Sequence, residues 1–147
     1  MVRALKRVEN SSTDENAELD DIYSFFQNAW HLKDWLDKDK SILQVTRDAV
    51  VHDAENSDTL KFCADLANGS KHLKLARSVR KGATLLRAGL SVTDSATGKV
   101  ISEIPRMYIV GSKHGSPRPS DVVGFAQKVV QDWTALLMKH GLQPPAI

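Results

Sequence analysis

The longest uninterrupted helical period in this chain runs from about residue 14 to Lys38. Leu19, Ile22, Tyr23, Phe26, Ala29, Trp30 and Leu36 recur at spacings of three and four, and Phe25 and Leu32 widen the stripe. An apolar face that broad must be covered by more than one neighbouring helix, which points to a mainly α, bundle-type fold. Lys33 falls near the middle of that face, a costly place for an ammonium unless a carboxylate meets it. Thr13, or Ser12 with Glu15 three residues on, offers the N-cap, and Asp14, Glu15 and Glu18 suit the helix start electrostatically. Residues 1–13 before it are expected to be a flexible lead-in.

Downstream, Asp37-Lys38-Asp39-Lys40-Ser41 reads as a connection. A second helix is expected from about Ile42 to Asp53, with Ile42, Val45, Thr46, Ala49 and Val50 on its inner side. Asn56-Ser57-Asp58 should cap a third, which carries Leu60, Cys63, Leu66, Ala67 and Ser70 inward. Gly69 interrupts it at a cost of about 1 kcal/mol against Ala. Leu86, Ala88, Leu90 and Val92 then alternate with Arg87, Gly89, Ser91 and Thr93, the period of a half-buried strand. A turn around Gly98 and a return strand over 99–110 complete a β-hairpin (about 84–110), and Pro105 marks the return strand as an edge or a bulged strand. After a basic Gly/Ser/Pro loop, Ser120 is expected to cap the last helix. Val122, Phe125, Ala126, Val129, Val130, Trp133, Leu136 and Leu137 line one side of that helix, and Gly141 stops it. Residues 14–141 thus form a single helical-bundle domain with the hairpin inserted before the last helix, and 142–147 form a C-terminal tail.

The 147 residues are 41% hydrophobic and 26% charged, the profile of a globular domain large enough to bury a core. The lone cysteine, Cys63, precludes an intrachain disulfide or a cysteine-rich zinc site. No signal-peptide run and no span of roughly 20 apolar residues is present, so a cytoplasmic protein without membrane contact is expected. The net charge of +2 is uninformative, but its distribution is uneven. Lys71, His72, Lys74, Arg77, Arg80, Lys81 and Arg87 form a basic segment able to track a phosphate backbone, joined by Lys113, His114 and Arg118 in the later loop. The alternative is an ordinary charged linker.

Two polar stripes are the candidates for chemistry. Asp65, Asn68 and His72 fall within roughly 60° of one another on a helical wheel. A carboxylate, an amide and an imidazole so arranged could hold a substrate and move a proton near neutral pH. On the 14–38 helix, Gln27, His31 and Asp34 make a comparable stripe beside Ser24, with Asp34 spaced to orient the His31 imidazole. Trp30 and Trp35 flank it and are expected to be packing residues rather than nucleobase platforms. His31, Asp34, Asp65 and His72 could together ligate a metal, but no His-Glu-x-x-His pattern occurs and neither metal nor cofactor is expected. Gly98-Lys99 is no P-loop, since Thr occupies position 93.

The run Leu66-Ala67-Asn68-Gly69-Ser70-Lys71-His72 resembles the signature of the HEPN superfamily of small helical bundles: an Arg, a polar residue (often Asn), about three residues and a His. Asn68 and His72 match, while Ala67 stands where that family carries its Arg. Trp30-His31-Leu32-Lys33-Asp34-Trp35 adds to a likeness with uncharacterised bacterial proteins of this kind, covering about residues 14–75. The resemblance implies an antiparallel four-helix bundle acting as a homodimer. It also implies RNA or nucleotide binding in a defence or toxin-type role, metal-independent ribonuclease activity in some members, and an antitoxin-type protein partner. His72 would transfer a proton, Asn68 would orient substrate and Lys71 (or Lys33) would supply the missing cation, with Asp65, His31 and Asp34 supporting. A competing fit is Arg47-Asp48-Ala49-Val50-Val51-His52, in which Arg47 and His52 would be the motif residues. The different-class alternative is a non-catalytic structural or interaction module. Its polar stripes would be a buried helix–helix network, with Lys33 paired to Asp65.

Overall fold

The computed structural model describes residues 1–10, 15–71, 84–93, 100–110 and 120–144, with backbone alone for 15, 68–71, 84–93, 100–110 and 120. The chain is mainly helical, with five helices among the described residues: α1 (Val2–Glu9), α2 (Glu15–Lys38), α3 (Gln44–Asn56), α4 (Asp58–Lys71) and α5 (Val122–Lys139). The hydrophobic period from residue 14 to Lys38 corresponds to α2. Its Ile22, Phe25, Phe26 and Ala29 are fully buried, while Leu19, Trp30, Leu32 and Leu36 pack at the edge of the core. As the width of its apolar face requires, α2 touches all four other helices, α4 most extensively.

An aromatic cluster ties three helices together. Phe26 of α2 stands against Phe125 of α5 at 5.7 Å between ring centroids, and Phe125 meets Phe62 of α4 edge-on at 5.0 Å. Trp133 of α5 is fully buried and its indole N–H donates to the Ala29 carbonyl of α2 at 2.9 Å. A buried indole needs such an acceptor, so this bond also fixes how the two helices meet.

Local chemistry sets the helix ends. Ser57 Oγ accepts from the Leu60 N–H at 3.4 Å at the start of α4. α5 is capped by Asp121, whose carboxylate accepts from the Gly124 N–H at 3.1 Å, rather than by the expected Ser120. Ser120 and Asp121 instead form a short strand, β3, which moves the cap one residue on. At its far end Gly141 adopts φ +71°. Leu142 N–H donates to the Leu137 carbonyl at 2.9 Å and Gly141 N–H to Met138 at 3.1 Å. That pair of bonds is the Schellman arrangement, for which glycine is favoured.

Three expectations are corrected here. Residues 2–9 are no loose lead-in: Ala4 and Val8 are buried, Arg7 pairs with Asp21 at 2.8 Å, and Glu9 accepts from Gln127 at 2.9 Å. Eight residues hold only two turns, so the period was too short to stand out in the sequence. Val45, expected on the inner side of α3, is exposed, while Val50 and Ala54 face the core. In the tail, Leu142 packs against the core. The N-cap proposed at Ser12 or Thr13 lies outside the described residues.

Strands β1 (Thr84–Thr93) and β2 (Val100–Val110) pair antiparallel from Thr84↔Val110 to Thr93↔Val100, with a register shift between Val92 and Thr93. The β1–β2 connection around Gly98 lies outside the described residues. β3 pairs with β2 at Tyr108 and Ile109 only. Pro105 therefore sits where β2 has one described neighbour, β1, in which it faces Gly89. A residue without an N–H is tolerated there.

Candidate functional site

Four side chains of α2 and α3 form a continuous polar chain. Lys33 projects from the core-facing side of α2 and its side chain is only 12% exposed. Its Nζ lies 4.8 Å from the centre of the Trp30 ring, 2.9 Å from Asp34 Oδ1 and 3.2 Å from Glu55 Oε1 at the end of α3. Burial works to lower its pKa. The hydrogen bonds to Asp34 and Glu55 outweigh that, so the ammonium is held charged with its pKa above the ordinary value. The carboxylate anticipated beside Lys33 is thus present, but it is not Asp65. Asp34 sits one residue along the chain and Glu55 is brought by α3, so both reach the ammonium from the rim of the helix face.

Asp34 divides its two oxygens. Oδ1 takes Lys33, and Oδ2 faces His31 Nδ1 at 2.9 Å. Hydrogen bonds from Lys33 and then His31 hold its pKa below the usual carboxylate value. Because a carboxylate can only accept, Nδ1 carries the proton; in the neutral ring Nε2 is then an acceptor. The His31 and Asp34 side chains are 46% and 40% exposed, so this pair is reachable from solvent rather than enclosed between helices. Trp35, expected as a packing residue, is 58% exposed, whereas Trp30 does pack against the core. An apolar stripe predicts burial only for residues near its centre, and Trp35 lies off it.

On α4, Asp65 Oδ2 is buried without a hydrogen-bond partner among the described residues. No described contact joins Asp65 to His31, Asp34 or Lys33. Ala67, which stands where the HEPN signature carries an Arg, is 3% exposed, a place where a guanidinium would need burying. Lys33 is no free substitute for that Arg, since both of its carboxylate partners engage it. The Asn68 and Lys71 side chains, His72, Lys74, Arg77, Arg80, Lys81 and the Arg87 side chain lie outside the described residues, as do Lys113, His114 and Arg118.

The residues of the competing segment make local contacts. Arg47 donates to the Asp39 carbonyl at 2.9 Å and to Gln44 Oε1, fastening the α2–α3 connection. His52 lies beside Asn56, which donates to its carbonyl at 2.8 Å. No described contact joins Arg47 to His52.

Sequence reasoning missed two further features. Asp53 of α3 accepts from Lys139 at 2.7 Å and lies 2.8 Å from His140 Nε2, joining α3 to the end of α5; Lys139, then His140, depresses its pKa. A cavity of about 300 Å³ lies between Met1, Leu32, Leu36, Ile42, Val130 and Leu137, and contains none of the expected site residues. Cys63 is fully buried with its thiol pushed up by burial, so it is a core residue. Among the described residues no helix is long and apolar enough to cross a membrane, and no three His, Cys, Asp or Glu side chains cluster as a metal site. No family model, curated protein or solved structure matches the chain.

Proposed function

We propose that this chain is an RNA- or nucleotide-binding protein of the HEPN-like kind, acting in the cytoplasm in a bacterial defence or toxin-type role. In this reading the helices form an antiparallel four-helix bundle to which α1 is added, and β1 and β2 form a hairpin inserted before the last helix. Two copies pair as a homodimer, and an antitoxin-type protein is the partner. His72 transfers the proton in a metal-independent ribonuclease reaction, Asn68 orients the substrate, Lys71 contacts phosphate, and His31 with Asp34 supports them. Lys74, Arg77, Arg80, Lys81 and Arg87 track the backbone.

The observation that carries this reading is the solvent-reachable His31–Asp34 pair on α2, the helix against which α4 packs most extensively. A carboxylate-oriented imidazole at a surface is an arrangement for hydrogen bonding and proton transfer to a ligand. A purely structural stripe would instead call for a buried network. The test is cleavage of single-stranded RNA by wild type and His72→Ala, with thermal melts as the folding control. Loss of cleavage with an unchanged melt is expected; undiminished cleavage by the variant overturns the assignment.

A second reading, a non-catalytic interaction module, draws on Lys33, which links α2 to Glu55 of α3. It requires Lys33→Met and His72→Ala both to lose much of the fold's stability.

A further inference from the structure

The geometry points to a one-nucleoside subsite on α2, in which Trp35 stacks on the base and His31 Nε2 accepts a hydrogen bond from the ribose 2′-hydroxyl. This deepens, and rests on, the RNA- or nucleotide-binding reading.

Three observations combine. Trp35 is among the few large apolar side chains left exposed, and it has no ring or cation partner among the described residues. His31 stands four residues before it, which on a helix puts their Cβ atoms about 5–6 Å apart on one face. Helical side chains lean toward the N-terminus, so this spacing puts both rings on one face of α2, within the span of a nucleoside. Finally, His31 Nδ1–H donates to Asp34 Oδ2 at 2.9 Å, and no described group bonds Nε2. With the imidazole in its neutral form, the subsite is a flat apolar plate next to an acceptor nitrogen.

That pairing selects its ligand. Every nucleobase has a face for an indole, so Trp35 is tolerant of sequence. An acceptor-only nitrogen needs a donor beside the base, and the 2′-hydroxyl is the donor that RNA has and DNA lacks. The carboxylates Asp34 and Glu55 outnumber the single Lys33 ammonium that pairs with both, so the surroundings favour the neutral nucleoside over its phosphates. The phosphates would have to be met elsewhere on the protein.

The experiment titrates the full chain with adenosine and with 2′-deoxyadenosine, following the Trp35 indole N–H and His31 ring resonances by NMR. A labelled single-stranded RNA and its DNA counterpart are titrated in parallel by fluorescence anisotropy. Adenosine is expected to move both resonances and to bind about tenfold more tightly than the deoxynucleoside, roughly one hydrogen bond's worth. Trp35→Ala should weaken RNA and DNA alike by about 5- to 150-fold. His31→Ala should weaken RNA binding by about tenfold, to the level of DNA, and so remove the RNA preference. Trp35 is exposed, so its variant should fold, and a wild-type melt confirms it. RNA binding that survives both substitutions overturns the subsite and leaves the broader reading standing. Shifts with adenosine but no RNA binding would confine the protein to nucleotides and keep the subsite. No response to either ligand overturns both. Concentration-dependent shifts at Trp35 without ligand would identify a second copy as the occupant and overturn the subsite.

Discussion

Lys33 shows how one residue can be read from sequence and its partners misjudged. Its place in the middle of an apolar face required a carboxylate, and the structure supplies two, Asp34 and Glu55. Asp65 was the wrong choice because helical periodicity places residues on faces and does not say which faces meet. Both carboxylates are substantially exposed, so the ion pairs add little to stability even though the ammonium is nearly buried. Lys33→Met keeps the stem packed on Trp30 and is expected to change unfolding free energy by no more than about 1 kcal/mol in urea denaturation. The larger consequence falls on Asp34, whose carboxylate is held below its ordinary pKa of 3.8 by Lys33 and then His31. A depressed carboxylate contributes stability that is complete above its unfolded pKa and lost as pH falls through the folded one. The melting temperature of wild type should therefore decline from about pH 4 downward, and Asp34→Asn should flatten that decline. An identical acid limb in the variant would show that the carboxylate is not so held.

At the scale of elements, α2, α4 and α5 were legible because their apolar periods are long. Leu60, Cys63, Leu66 and Trp133 are all buried as their spacing required. α1 was illegible because two turns do not establish a period, and its burial depends on α2 and α5 already being in place. What the sequence could not show is that Trp133 also bonds the Ala29 carbonyl, a contact between residues far apart in the chain. Trp133→Phe removes this N–H and leaves a void beside α2, so a loss of about 1–3 kcal/mol is expected by urea denaturation. A loss below about 0.5 kcal/mol would mean that the α2–α5 contact does not depend on it.

Across the whole molecule, the division of labour on α2 links fold to function. Its core face, through Phe26 and the indole bond from Trp133, gathers the other helices, and Lys33 fastens α3 at the rim. His31, Asp34 and Trp35 remain reachable. The His31–Asp34 pairing was visible in the three-residue spacing alone. The exposure of Trp35 was not, because an aromatic residue at a stripe's margin is ambiguous until its neighbours are placed. The central claim is that this face of α2, together with the polar stripe of α4, receives RNA or a nucleotide. It is tested most directly by recording the amide and side-chain NMR spectrum of the full chain while single-stranded RNA is added. Shifts concentrated at His31, Asp34, Trp35 and residues 65–72 are the expected result. Shifts that leave His31 and Trp35 untouched, or a spectrum indifferent to RNA and nucleotide alike, would contradict the account.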